Sequence, residues 1–158
     1  TYSTQIVKLA ASLGIEIPIL GGDTLDSNMV LEAAAGSDVQ LYVSTFYQEG
    51  GSPKFDDGIK AWLNEDSTAM TNNGGNDTIA AVTAMGYDAY YVALEALKAA
   101  GSTDKAAVKA ALPDVTYTGV SGSIAFDEQG DAIRDTAYIK TADTANNAWT
   151  LETVQTVE

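Results

Sequence analysis

The chain has 158 residues, of which 46% are hydrophobic, so it is long and apolar enough to bury a core as a globular protein. Its formal net charge is −14, from 22 acidic and 8 basic side chains, and this charge would repel nucleic acids and anionic lipid surfaces. The chain contains no cysteine and no histidine, which excludes disulfides, thiol catalysis and the most common zinc ligand and general base. We therefore predict no nucleic-acid partner, no metal and no cofactor.

Two features of the whole sequence bear on its location. The absence of cysteine favours an exported protein, which thereby avoids incorrect disulfide pairing in an oxidising compartment. No apolar run approaches the roughly 20 residues that a membrane-spanning helix needs. The chain begins inside a predicted helix and without a hydrophobic leader, which indicates a mature protein or a fragment of one.

Hydrophobic spacing predicts alternating helices and strands in the first 45 residues. Helices are predicted over residues 2–13 and from Asp26 or Ser27 to about Ala35, and strands over residues 15–20 and 39–45. The first strand is expected to be buried and to end in the loop Gly21-Gly22-Asp23. This alternation is typical of a parallel sheet covered by helices, which predicts an α/β fold.

Residues 53–112 are predicted to contain helices and no strand. Apolar spacing predicts helices over residues 54–65 and 78–100 that lie beside each other, separated by a polar loop at residues 71–77. A third helix begins at Ser102 or Thr103 and ends before Pro113. Because this region encodes no sheet, its helices must pack on the small strand groups elsewhere in the chain or on strands outside it.

The last third of the chain is predicted to be β-structure. Strands are predicted over residues 115–126, 132–141 and 148–157, the last at a sheet edge. Between the first two, Asp127, Glu128 and Asp131 form an acidic turn that Gly130 closes with a positive φ. Their spacing lacks the alternating ligands of an EF-hand, so we interpret them as a solvated turn.

Five short motifs follow one another along nearly the whole chain. They are Ile19-Leu20-Gly21-Gly22-Asp23, the predicted helix 55–63, Gly86-Tyr87-Asp88-Ala89, Ala99-Ala100-Gly101-Ser102-Thr103-Asp104, and the glycine-punctuated segment 119–131. In this order they resemble the periplasmic solute-binding proteins of the branched-chain amino-acid type. In that family, two α/β lobes are joined by three crossing strands and trap a small molecule between them.

The resemblance implies a fold and a division into lobes. The chain would be the carboxy-terminal half of a two-lobed, type I periplasmic-binding-protein-like α/β fold, with parts of both lobes. Residues 1–45 would belong to the second lobe, residues 46–132 to the first, and residues 133–158 again to the second. The sheet on which the helices of residues 53–112 pack would then lie in an amino-terminal half outside this chain.

The resemblance also implies that Asp23, Thr24 and Val82 bind the ligand. In amino-acid-binding relatives the acid after this Gly-Gly strand end accepts hydrogen bonds from the ligand's ammonium group, and a carboxylate suits that charge-assisted bond. Ligands of open α/β sheets bind at the carboxyl ends of strands, and Asp23 follows the predicted end of a strand. On residue type alone, Asp23 could instead cap the following helix. Val82, where relatives often carry an aromatic residue, could be a core residue at helical spacing.

The implied function is capture of an amino acid or similar small molecule by an extracytoplasmic protein, periplasmic or lipid-anchored, that delivers it to ABC permease subunits. The alternative is a ligand-sensing regulatory domain of the same architecture. An enzyme is not expected, since the residue inventory leaves few catalytic bases. The fragment alone is expected to self-associate as a homodimer through the apolar helix face listed here: Phe55, Ile59, Trp62 and Leu63.

Overall fold

Residues 2–156, the part of the chain that the computed structural model describes, fold into six α-helices and seven β-strands. The helices are α1 (Tyr2–Leu13), α2 (Asn28–Ala34), α3 (Pro53–Glu65), α4 (Ser67–Asn72), α5 (Ala81–Ala100) and α6 (Lys105–Ala111). The strands are β1 (Ile19–Gly21), β2 (Leu41–Thr45), β3 (Tyr117–Gly119), β4 (Gly122–Phe126), β5 (Ala132–Ile133), β6 (Thr136–Asp143) and β7 (Ala148–Thr156). Two short 3-10 helices span Asp23–Leu25 and Leu112–Asp114. The predicted α/β class is confirmed.

Four strands form the first sheet, in the order β1-β2-β6-β7. β1 and β2 are parallel, as the α-β-α-β pattern predicts, whereas β6 and β7 add antiparallel strands from the end of the chain. Alternate residues of β2 are fully buried, and Leu41 packs in one core with Val7 of α1 and Val30 of α2. The carboxyl ends of β1 and β2 therefore lie side by side at the same end of this sheet.

Three antiparallel strands form the second sheet, in the order β3-β4-β5. The long helix α5 packs on it: Val92 and Ala96 share a buried core with Val115 and Ile124. One face of α5 therefore packs on strands within the chain, whereas the resemblance implies that the sheet beneath these helices lies outside it.

A third apolar core joins α3 to the start of α5. Tyr47, Phe55, Ile79 and Ala81 are buried together. The ring centroid of Phe55 on α3 also lies 5.0 Å from that of Tyr87 on α5. The prediction that these two helices are neighbours is confirmed.

The apolar face of α3 is covered more fully than expected. Phe55 is buried in the core around Tyr47, and the half-buried Ile59 packs against it. Leu63 is also buried. Trp62 remains 54% exposed. Of the apolar face that was expected to form the dimer, mainly Trp62 is therefore left exposed.

Three predicted strands differ from those observed. Residues 115–126 form a hairpin of β3 and β4, since Gly122 adopts a φ of 100° and the chain reverses before it. Residues 132–141 are interrupted between β5 and β6, which belong to different sheets. The strand predicted to be buried over residues 15–20 is the short β1, and Leu20 is exposed because it lies on the opposite face of β1 from Ile19, which packs against the first core.

Helix α4 was not predicted, and the start of α6 was misplaced. α4 begins after Asp66, whose Oδ1 accepts hydrogen bonds from the backbone N–H groups of Thr68 (2.9 Å) and Ala69 (3.0 Å). The cap of α6 is Asp104, not Ser102 or Thr103. β7 is at the edge as predicted, and the last residue predicted for it, 157, lies outside the described residues.

Candidate ligand-binding site

The predicted residue Asp23 lies at the carboxyl end of β1. β1 ends at Gly21, and the chain then turns through the 3-10 helix Asp23–Leu25, which the backbone bond from Asp26 N–H to the Asp23 carbonyl (3.0 Å) closes. Gly21 leaves room beneath this turn for the side chain of Leu25, whose Cδ2 would have to move if residue 21 carried a β-carbon. Asp23 is therefore placed where α/β proteins collect their ligands.

The carboxylate of Asp23 does not cap a helix. Ser27 occupies the N-cap position of α2, and Asp23 is half-buried in the preceding turn. None of residues 2–156 donates a hydrogen bond to the Asp23 carboxylate. The neighbouring Thr24 is exposed. The side chains of both residues are thus available to an external group.

Val82 is the second residue of α5, and the structure brings its helix to the turn that carries Asp23. The start of α5 contacts the 3-10 helix Asp23–Leu25. Val82 is 51% exposed, so the interpretation of Val82 as a core residue is wrong. The three predicted residues therefore lie on two elements in contact, although they are separated by about sixty positions in the sequence.

Asp26 joins these two elements, whereas the sequence indicates only that a helix begins at Asp26 or Ser27. Its Oδ2 accepts hydrogen bonds from Thr45 Oγ1 at the end of β2 (3.1 Å) and from Lys140 Nζ on β6 (2.9 Å). The same oxygen accepts the backbone N–H of Ala81, the first residue of α5 (3.1 Å). One carboxylate oxygen thus joins three elements that are far apart in the chain.

The ion pair between Asp26 and Lys140 is almost completely shielded from water. Each residue is 2% exposed. Removing one partner of such a pair leaves an uncompensated buried charge, which typically costs about 3–5 kcal/mol. A sequence signal existed: Lys140 is a cation in the middle of a strand, and such a side chain, if buried, requires an acid.

A model of the periplasmic binding protein family matches residues 3–147, which is most of the chain. The chain belongs to the periplasmic binding protein family. The resemblance inferred from its motifs is confirmed, and this family consists of binding proteins, so the expectation that the chain is not an enzyme is confirmed as well. A comparison with curated proteins gives no match.

Solved structures of this family superpose on nearly the whole chain. The leucine-binding protein LivK from Thermotoga maritima is 27% identical, with a TM-score of 0.74 over 98% of this chain and 42% of its own. An ABC transporter substrate-binding protein from Desulfitobacterium hafniense, in complex with Leu, is 27% identical, with a TM-score of 0.62 over 94% of this chain and 39% of its own. A further structure of a substrate-binding protein from that organism is 27% identical, with a TM-score of 0.55 over the same shares. This chain therefore spans about two fifths of the length of these binding proteins.

A second buried acid of this periplasmic binding protein supports the region where the chain passes between its sheets. Asp88 on α5 accepts backbone hydrogen bonds from Val120 (2.9 Å) and Ser121 (2.7 Å), in the turn of the β3–β4 hairpin. Arg134, between β5 and β6, donates to the carbonyl of Ser121 (2.8 Å) and lies 4.9 Å from the ring centroid of Phe46, just after β2. Burial lowers the pKa of Arg134, and the charge of Asp88 opposes that shift. The segment that follows β2 and the segment that precedes β6 are thereby joined.

Other chemistries that the sequence raised find no support in the described part of the chain. The acidic segment is a turn in which Asp127 Oδ1 accepts the backbone N–H groups of Gln129 (2.9 Å) and Asp131 (2.8 Å), and Gly130 has a φ of 90°. No group of three or more acidic side chains within residues 2–156 is arranged to hold a metal ion. In the same range, none of the helices combines the length and apolarity needed to cross a membrane.

Proposed function

We propose that this chain is part of an extracytoplasmic solute-binding protein that captures an amino acid for an ABC importer. The observation that carries the proposal is the carboxylate of Asp23. It lies at the carboxyl end of a parallel strand, is half-buried, and receives no hydrogen bond from residues 2–156. A ligand ammonium group would supply the missing donors in a charge-assisted bond.

The proposed ligand is an apolar amino acid. One similar substrate-binding protein was solved in complex with Leu, and another is a leucine-binding protein. Asp23 would bind the ammonium group and the hydroxyl of Thr24 a neighbouring polar atom. Val82 would contact the aliphatic side chain. Such a combination of a few polar groups that orient the ligand with an apolar surface is typical of small-molecule sites.

The proposed mechanism uses two lobes. Residues 1–45 and 133–158 would form part of one lobe and residues 46–132 part of the other. The distribution of strands between the two sheets supports this division to within one residue, since β1, β2, β6 and β7 share one sheet and β3, β4 and β5, which extends to Ile133, share the other. Closure of the lobes around the ligand would present the closed form to the permease subunits.

A binding screen of the full-length protein tests the proposal. Calorimetric titration with each of the twenty amino acids should show saturable one-to-one binding of an apolar L-amino acid such as leucine. No binding by any amino acid would contradict the proposed ligand class. A ligand-sensing domain would bind equally well, so the liganded protein should also be added to its reconstituted permease, where a transport protein stimulates ATP hydrolysis and a sensing domain does not.

A further inference from the structure

The amino terminus of α5 has no cap of its own. Ala80 occupies its N-cap position, and a methyl side chain cannot accept a hydrogen bond from the first turn of the helix. The backbone N–H of Ala81 instead donates to Asp26 Oδ2, 55 positions away in the sequence. Asp26 therefore does for α5 what an N-cap residue ordinarily does, and its negative charge also suits the helix dipole.

The carboxylate of Asp26 is itself held from two further directions. Lys140 Nζ and Thr45 Oγ1 donate to the same oxygen that accepts the Ala81 N–H. Both residues come from the first sheet, on β6 and at the end of β2. The position of Oδ2 is thus fixed relative to the first sheet, and the start of α5 is fixed relative to Oδ2.

The same bond lies between the two walls of the proposed ligand site. On one side Asp26 directly follows the 3-10 helix that carries Asp23 and Thr24, and its backbone N–H donates to the Asp23 carbonyl (3.0 Å). On the other side Ala81 directly precedes Val82. A shift of either partner would change the distance between the two walls.

We propose that Asp26 is a positioning residue for the ligand site: by accepting the Ala81 N–H, its carboxylate sets the wall that carries Val82 against the wall that carries Asp23. This inference rests on the proposed function and deepens it. Asp26 itself does not touch the ligand.

A purely stabilising role for the buried pair makes a different prediction. In that case, loss of the pair lowers thermal stability but leaves the affinity of the folded protein unchanged. The other carboxylate oxygen of Asp26, Oδ1, is buried without a partner among the described residues. In an Asp26→Asn variant, the amide oxygen can therefore take the place of Oδ2 and still accept hydrogen bonds. The amide nitrogen then takes the place of Oδ1, so no hydrogen bond is lost there.

The test compares two double variants of the full-length protein, with L-leucine as the probe. Asp26→Asn with Lys140→Met retains an acceptor for the Ala81 N–H, whereas Asp26→Ala with Lys140→Met does not. Both lack the ion pair, so neither leaves a buried charge unpaired. Dissociation constants are measured well below the lower of the two melting temperatures. Asp38→Ala, which removes an exposed acid, is the control and should leave the dissociation constant unchanged.

We expect the variant without an acceptor to bind leucine at least tenfold more weakly than the variant with one. Val82→Ala should also be added to the Asp26→Ala, Lys140→Met variant. There it should change the dissociation constant for leucine by less than half of the fold-change that it causes in the wild type. Equal dissociation constants for the two double variants would overturn the inference. If Asp23→Ala weakens binding and the two double variants do not differ, the inference alone fails; if Asp23→Ala has no effect, the proposed site fails.

Amide hydrogen exchange in the unsubstituted full-length protein provides a second measurement that does not depend on how the variants fold. The Ala81 N–H should be protected, since it is hydrogen-bonded to a buried oxygen. Exchange of this amide at the rate of an unstructured peptide would overturn the inference.

Discussion

Asp88 occupies the space that a side chain at residue 119 would need. A β-carbon built on Gly119 would lie 2.2 Å from Asp88 Cγ. Because the carboxylate fills this position, it reaches the backbone N–H of Val120 and both the N–H and the hydroxyl of Ser121. The glycine of the hairpin and the buried acid of α5 are therefore required together.

Gly119→Ala should lower the free energy of unfolding of the full-length protein by about 2–4 kcal/mol, because Asp88 must give up hydrogen bonds that compensate its burial. Urea unfolding followed by circular dichroism measures the change. Gly58→Ala is the matched control: Gly58 lies in α3, a β-carbon there meets nothing within 4 Å, and alanine should stabilise the helix by about 0.5–1 kcal/mol. Equal effects of the two substitutions would contradict the role of the close contact.

Alkaline pH should destabilise the protein in part through Tyr47. Burial raises the pKa of its phenol, and the hydrogen bond to Asp56 Oδ1 (2.6 Å) raises it further. Above a pH of about 10, the usual tyrosine pKa, the unfolded chain loses this proton and the folded chain keeps it, so stability falls as pH rises. Below that pH the phenol contributes no pH dependence.

Tyr47→Phe should therefore be less stable than the wild type at pH 7, since the hydrogen bonds of the hydroxyl with Asp56 and Ser52 are lost, and should lose stability less steeply between pH 10 and pH 11. Urea unfolding at a series of pH values compares the two slopes. Tyr2→Phe, at an exposed tyrosine, should keep the wild-type slope. Identical slopes for wild type and Tyr47→Phe would contradict the raised pKa.

The 158-residue chain alone should self-associate through α1. Tyr2, Ile6, Leu9 and Leu13 follow one another at helical spacing and are between 58% and 87% exposed. This stripe replaces the α3 face as the surface that we expect in a dimer. Leu9→Lys with Leu13→Lys should shift the sedimenting species from dimer to monomer, whereas Gln5→Lys with Ser12→Lys, which adds the same charge, should not. A compact monomer of the unsubstituted chain at high micromolar concentration would contradict this prediction.

Periodicity predicted α1 and α3 closely, because the apolar face of a helix depends on neighbours a few positions away. The pattern over residues 2–13 matches α1, and that over residues 54–65 falls within α3. Strand limits were less accurate, because β1 and the β3–β4 hairpin depend on which strands lie beside them. The local sequence of a strand does not indicate which other strands pair with it.

For the same reason, the sequence predicted where Asp23 lies in the fold but not the contacts of Asp26. The glycines before Asp23 mark a strand end, so its place in the fold could be inferred from the sequence. Lys140 indicated that a buried acid was needed, but not which one, since Asp26 lies 114 positions from Lys140 and 55 from Ala81. Only the folded chain brings these residues together.

The binding of leucine by the full-length protein carrying Asp23→Ala tests the central claim most directly. Loss of one partner of a desolvated charge pair should weaken binding by about 2–4 kcal/mol, which is roughly a 30- to 1,000-fold rise in the dissociation constant. Asp38→Ala, at an exposed acid, should bind as the wild type does. A calorimetric titration in which Asp23→Ala retains the wild-type dissociation constant would remove Asp23 from the ligand site and contradict the proposed function of its carboxylate.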